Sequence, residues 1–292
     1  MPQFQNVNRY FNNNLCKTRF YFPFFLLLTS LNVNAQNAES TTKTISTNQQ
    51  YSLPKAMQDK LIKNMVWLEA GSFEMGSNSP KARKRERPAH QVSLDGFYIS
   101  KFELTQDVFV QIMGWNNSYF PCANCPVNNV SWFNMQLFIE RLNIATGNKF
   151  RLPTEAEWAY AAKGGNKSKD YLYSGSNNIA DVAWYNENSN RQSHPVGQKR
   201  ANELGLYDMT GNLWEFCQDN MSRTTYQQKR GHNPFYGDSN SYNNKNKKKA
   251  MKVLRGSGYE FSADESQVFI RDGATNNVRM ADIGFRLAMS KH

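Results

Sequence analysis

Asp208 and Glu215 stand on either side of Gly211-Asn212 in a stretch, Gly205 to Asp219, where acidic and turn-forming residues alternate with Leu206, Tyr207, Leu213, Trp214 and Phe216. So many large apolar side chains pull the stretch into an interior, and a carboxylate taken there alone carries a heavy desolvation cost. A cation, an Arg side chain or several backbone N–H donors would meet that demand. Calcium takes about six to eight oxygens from carboxylates and main-chain carbonyls. Asp208 and Glu215 offer charged oxygens, and carbonyls at Gly211 and Leu213 lie across the same turn. The alternative needs no metal: Asp208 caps its own turn, and Glu215 meets an arginine. On these residues both readings stay open.

The thiols and imidazoles are the other reactive groups. Cys122 and Cys125, in Pro121-Cys-Ala-Asn-Cys-Pro126, can close a small-loop disulfide in an oxidising compartment. A single Cys-x-x-Cys lacks the second pair that a structural zinc takes. A thioredoxin-like role needs the motif at a helix start beside a βαβ unit, and here prolines flank it in a loop. Cys217 follows Trp214-Glu-Phe216 and is expected to be buried and inert. His90 and His194 have no second histidine at metal-ligand spacing and are expected to be structural.

These groups sit in a chain of 292 residues with a formal net charge of +11, which is concentrated in Lys81-Ala-Arg-Lys-Arg-Glu-Arg87 and Lys245-Asn-Lys-Lys-Lys249. Basic runs attract nucleic acid or anionic surfaces. No helix-turn-helix, zinc-finger or RNA-recognition signature accompanies them, so solvated loops are expected and no nucleic-acid partner. Lys17 and Arg19, the apolar run Phe20 to Leu31 and the small residues ending at Ala35 form a signal-like unit. The run is shorter than the roughly twenty residues of a membrane span. The expectation is a signal peptide over 1–35, a flexible Ser-, Thr-, Asn- and Gln-rich linker over 36–59, and a folded domain over 60–292. The mature chain is then secreted or periplasmic, with no membrane span after cleavage.

Within the domain, Met65 to Leu68 reads as a strand, turned at Ala70-Gly71 towards Ser72 to Met75. His90–Leu94 and Phe97–Phe102, joined by Asp95-Gly96, read as a hairpin. Three helices are expected. Thr105 caps Gln106 to Met113, with Gly114 as the stop. Ser131 caps a segment to about Ile144, with Phe133, Leu137, Phe138 and Leu142 on one face and Gly147 as the stop. Thr154-Glu-Ala-Glu157 forms a capping box. Short extended pieces follow at 171–175, 181–185 and 194–197, then a polar excursion over 220–249. Val253–Arg255 and Gly284–Ala288 close the chain as strands.

In this order, several stretches resemble the formylglycine-generating-enzyme family, also called the sulfatase-modifying-factor domain. They are Met65 to Gly76, Glu86 to Val92, Asp95 to Gln106, Pro126 to Trp132, Arg151 to Trp158, His194 to Gly197, Gly205 to Phe216, Leu254 to Gly256 and Gly284 to Leu287. The resemblance implies an α+β fold, a single compact domain of the C-type-lectin-like kind with low regular secondary structure and structural calcium. It places calcium on Asp208, Gly211, Leu213 and Glu215, and offers Asn178, Asp181 and Asn186 as candidates for a second site. Oxidases of the family carry a copper(I)-binding cysteine pair between the Arg-Gly-Gly-Ser strand and the final Gly-Phe-Arg strand, and copper(I) requires soft thiolates. Here residues 256–283 hold no Cys and no His, Ser257 replaces one of the glycines, and Gly258 replaces the serine. Copper is therefore not expected. The reading is an exported binding or structural module with a protein or glycan partner in the envelope. The alternative is an enzyme, either a formylglycine-generating-type oxidoreductase acting on a protein cysteine or one using another site in the same fold.

Overall fold

The carboxylates of the central stretch are placed by two four-stranded sheets and one helix. The structure is a computed structural model that describes residues 51–228, 231–237 and 250–291. The expected signal segment, the start of the linker and the Lys245–Lys249 run lie outside these residues. Helix α1 (Lys55–Lys63) leads into β1 (Met65–Leu68) and β2 (Gly71–Met75), and then β3 (His90–Leu94) and β4 (Phe97–Ser100). Helices α2 (Gln106–Met113) and α3 (Trp132–Thr146) follow, then β5 (Phe150–Arg151), α4 (Glu155–Ala162) and the short α5 (Ile179–Val182). The chain continues through β6 (Trp214–Asn220), β7 (Met251–Arg255), β8 (Arg271–Thr275), β9 (Ile283–Gly284) and β10 (Ala288–Ser290).

One sheet has the order β1-β4-β10-β5 and another β8-β7-β6-β9, while β2 and β3 form a two-stranded ribbon. All pairings are antiparallel except β6 with β9, where Trp214 faces Ile283 and Glu215 faces Gly284. A side chain at Gly284 would lie 2.6 Å from the Val127 carbonyl and 2.7 Å from Leu213, so the parallel pairing depends on its absence. One core joins α2, α3, β6 and β9 through Phe109, Phe138, Phe216 and Ile283. The other packs α4 against β2, β3 and β6, with Trp158, Tyr160 and Cys217 inside it. Among the described residues no helix is long and apolar enough to cross a membrane.

Asp95-Gly96 does not close a hairpin. Strand β3 pairs with β2, while β4 pairs with β1 and β10. Neither residue has the positive φ that a tight hairpin turn demands. Gly96 is needed for space: a Cβ there would come within 2.4 Å of the Trp67 ring. The last part of the expected linker is helix, since α1 begins at Lys55 and Leu53 before it is buried. Helix α5 takes in Asp181 and Val182, which had read as extended.

The capping boxes of α3 and α4 form, with Ser131 accepting from Asn134 N and Thr154 from Glu157 N. The buried face of α3 is Trp132, Met135, Phe138, Ile139 and Leu142, with Phe133 and Leu137 at its margin. Thr105 makes no side-chain cap on α2. The amides of Gln106 and Asp107 donate instead to the carbonyls of Cys125 (3.0 Å) and Ala123 (3.1 Å), so the cysteine loop finishes that helix. The Lys81–Arg87 run is not a free solvated loop. Arg85 grips Asp272 through both carboxylate oxygens, Arg87 donates to the carbonyls of Ala82 and Ser79, and Glu86 is buried.

Candidate functional site

Strand β6 carries Glu215 into the interior, where α4 and the segment before β10 meet it. Arg286 Nη2 donates to Oε1 at 2.6 Å and its Nε to Oε2 at 2.7 Å, while Trp158 Nε1 donates to Oε2 at 2.7 Å. Glu215 and Arg286 are both fully buried. The guanidinium also reaches the carbonyls of Ser100 (3.2 Å) and Tyr207 (3.0 Å), so one arginine ties β4, the central turn and β6 together.

Asp208 lies in the left-handed region with φ 56°. Its Oδ2 accepts from Gly197 N at 2.8 Å, and its Oδ1 is buried without a partner. Burial pushes its carboxyl up to about 6, against the Gly197 hydrogen bond and the Arg286 charge. Gly211 (φ 74°) permits the turn itself, since a Cβ there would sit 2.2 Å from the Trp184 carbonyl. Glu103, two residues before the start of α2's cap, holds the amide side of the turn. Its carboxylate accepts from Asn212 Nδ2 at 2.6 Å and from Leu213 N at 3.0 Å. Burial and the carboxylates of Asp208 and Glu215 drive its pKa well up.

Set against calcium, the expected ligands divide. Asp208 fits, because it has a buried oxygen with nothing bonded to it. Glu215 does not fit, because both oxygens are committed to Arg286 and Trp158. Among the described residues no three His, Cys, Asp or Glu side chains converge as a metal-holding group. Of the second candidate set, Asn178 caps α5 and donates to Asp181 Oδ1 at 2.9 Å. Asp181 Oδ2 accepts from Ser176 Oγ at 3.0 Å and pairs with Arg200 at 3.3 Å. Asn186 donates its amide to the Phe261 carbonyl instead of joining them.

Glu103, Trp158 and Arg286 were not singled out from the sequence. Their signal was present: Glu103 and Arg286 are charged groups inside apolar runs, in Phe102-Glu-Leu104 and Phe285-Arg-Leu287, and Trp158 opens the apolar run Trp158-Ala-Tyr-Ala-Ala162. A second buried pair lies across β6. Arg271 donates to both oxygens of Glu155 at 2.6 Å, and Tyr226 Oη donates to Oε1 at 2.8 Å. Burial raises the Glu155 carboxyl, but Arg271 and Arg255 more than reverse this and hold it below the usual range.

Residues 256–283 form loop, a short turn at Ala263–Glu265 and β8. A Cβ at Gly258 would meet Trp214 at 3.2 Å and Asp282 at 3.3 Å. The Asp282 carboxyl is buried there, which raises it to about 6. Cys122 and Cys125 are joined in a disulfide with Cα atoms 5.2 Å apart. Cys217 is buried on β6, and burial pushes its thiol well up. His194 stacks on Trp184 at 3.8 Å and contacts the Ser189 carbonyl at 2.7 Å. His90 packs on Tyr226 and contacts the Pro88 carbonyl.

The same architecture recurs in known proteins. Treponema denticola variable protein 1 superposes with a TM-score of 0.64 at 29% identity, covering 78% of this chain and 95% of that one. The chaperone protein LppX of Paenibacillus barcinonensis is 33% identical over 204 residues, which is 53% of this chain and 70% of the relative. The inactive C-alpha-formylglycine-generating enzyme 2 of Bos taurus is 27% identical over 289 residues, with 77% of this chain and 87% of the relative covered. The fold is thus α+β, of the formylglycine-generating-enzyme and C-type-lectin-like kind. The model of the sulfatase-modifying factor enzyme 1-like domain matches residues 50–291, and the chain belongs to that family.

Proposed function

We propose that this chain is an exported binding or structural module of the cell envelope that keeps the sulfatase-modifying-factor fold and has no copper-dependent oxidase chemistry. The observation that carries the reading is the state of the cysteines. Copper(I) oxidation of a substrate cysteine needs two thiolates at one metal. Among the described residues one pair is closed as a disulfide and the remaining thiol is buried with its proton held tightly. The disulfide is in keeping with an oxidising compartment. Relatives named as a chaperone and as an inactive enzyme support a non-oxidase role.

Calcium is structural in this reading, with Asp208 and the main chain at Gly211 and Leu213 as its candidate ligands. Glu215 serves as the partner of Arg286. The test of the reading is to supply the purified protein with copper and oxygen and a sulfatase-motif peptide. The expected result is an unmodified peptide cysteine by mass spectrometry. An aldehyde product above a metal-free control would make the chain an oxidase and remove the proposal.

A further inference from the structure

We infer that the Cys122–Cys125 disulfide is a thiol–disulfide exchange site, whose partner is a dithiol on an extended, apolar stretch of another polypeptide. This goes beyond the binding-module reading and does not rest on it, since the exchange involves no copper and the copper assay does not bear on it.

A structural role explains little of this bond. It closes only four residues, and cross-linking so short a loop removes little chain entropy. The loop is also held by other means. Buried Gln106 donates from Nε2 to the carbonyls of Phe120 (3.0 Å) and Pro126 (3.2 Å), and its Oε1 accepts from Cys122 N (3.0 Å) and Asn116 Nδ2 (2.9 Å). One side chain thus grips the main chain on both sides of the disulfide. Cleaving the bond loosens the loop, but Gln106 keeps its two ends together, so the sulfurs stay within reach and the bond can close again.

The two sulfurs differ in access. Cys125 is 5% exposed, whereas Cys122 is half-buried between exposed Pro121 and Ala123. Exchange depends on which sulfur an incoming thiolate can reach. Here it reaches Cys122, and Cys125 is the departing sulfur. Tyr119, three residues earlier, is 63% exposed, more than any other large apolar side chain among the described residues. With Pro121 it offers an apolar ledge, beside the reachable sulfur, for the chain that carries the thiols.

The reaction balances without another reagent. A partner thiolate attacks Cys122 Sγ, and the electron pair of the broken S–S bond leaves on Cys125 Sγ, which takes a proton from water. The partner's second thiolate then attacks the partner sulfur of the mixed disulfide, and Cys122 leaves with the electron pair and is protonated. The partner dithiol is oxidised to a disulfide, Cys122 and Cys125 are reduced to thiols, and the two protons lost by the partner match the two gained. A partner disulfide runs the same steps in reverse.

The purified chain is treated with dithiothreitol without denaturant, and free thiols are alkylated and located by mass spectrometry. Labelling of Cys122 and Cys125 is expected with Cys217 unlabelled, because Cys217 is buried and reports unfolding. Labelling of all three, or of none, would overturn the assignment. Cys125→Ser should react with a small aromatic disulfide about tenfold faster than Cys122→Ser, because access sets the rate; equal rates would also overturn it. A reduced peptide, Phe-Cys-Gly-Ser-Cys-Leu, is then supplied to the wild type and to Tyr119→Ser. The wild type should oxidise the peptide, and the variant should do so about threefold more slowly, the loss of one aromatic contact, while matching the wild type with dithiothreitol. No peptide oxidation, or a peptide rate indifferent to Tyr119, would remove the polypeptide partner and the assignment with it.

Discussion

Arg286 and Glu215 form a two-pronged ion pair, with contacts of 2.6 and 2.7 Å, in which neither side chain reaches water. The pair joins β6 to the segment entering β10, and through the Tyr207 carbonyl it also fixes the turn that begins at Asp208. Removing one member leaves the other as an uncompensated buried charge. Glu215→Gln is therefore expected to cost about 3–5 kcal/mol in urea unfolding. The double change Glu215→Leu with Arg286→Met should recover much of it, because no charge is left behind. A Glu215→Gln protein as stable as the wild type would show that something else neutralises Arg286.

Calcium, if it binds only the folded chain, stabilises it with the logarithm of its concentration. Chelator is expected to lower the melting temperature and added calcium to restore it. Asp208→Asn should blunt that response, because Asp208 Oδ1 is the buried oxygen still without a partner. An undiminished calcium response in Asp208→Asn would remove Asp208 from the ligand set.

Asp219 gives a pH dependence with a definite sign. Burial pushes its carboxyl up to about 7, with Glu155 adding to the rise and the amides of Glu155 and Tyr236 opposing it. An unfolded aspartate titrates near about 3.9. Between about pH 4 and 7 the folded state therefore holds more protons than the unfolded one, and stability falls as pH rises through that window. Denaturant titrations at pH 5 and pH 7.5 should show the decline, and Asp219→Asn should flatten it. An equal slope in the variant would assign the decline to another group.

Gly211→Ala combines two costs. Its φ of 74° is unfavourable for any side chain, and the new Cβ would lie 2.2 Å from the Trp184 carbonyl. Overpacking of this kind costs about 1–3 kcal/mol, and the left-handed backbone about 1–2 kcal/mol more. Gly114→Ala, at φ 78° but with open space around it, should show the backbone cost alone. Comparing the two melting temperatures separates the terms.

Replacing Cys122 and Cys125 by Ser opens a loop of only four residues, for which loop entropy gives about 2 kcal/mol. Because this loop's carbonyls finish the first turn of α2, hydrogen exchange at Gln106 and Asp107 should rise in the double variant. Unchanged exchange there would show that the loop holds its place without the bond.

The helices from Gln106 to Ala162 were legible in the sequence because their boundaries are local. Ser131 and Thr154 satisfy amides three residues on, and Gly114 and Gly147 take the left-handed conformation that ends a helix. The identity of the central stretch was legible too, since Asp208 and Glu215 sit among apolar residues that must be buried. What neutralises them was not. Arg286 is far along the chain from Glu215, Glu103 far before Asp208, and only the fold brings the four together. The same limit applies to strands. Strand β6 is buried on both faces, so Trp214 to Asn220 shows no alternation. Asp95-Gly96 carried a hairpin signal that Trp67, packed over Gly96, turned into a crossing between sheets. Local hydrogen bonds are encoded next to the residues that make them, whereas a buried charge takes its partner from whichever strand the tertiary structure lays beside it.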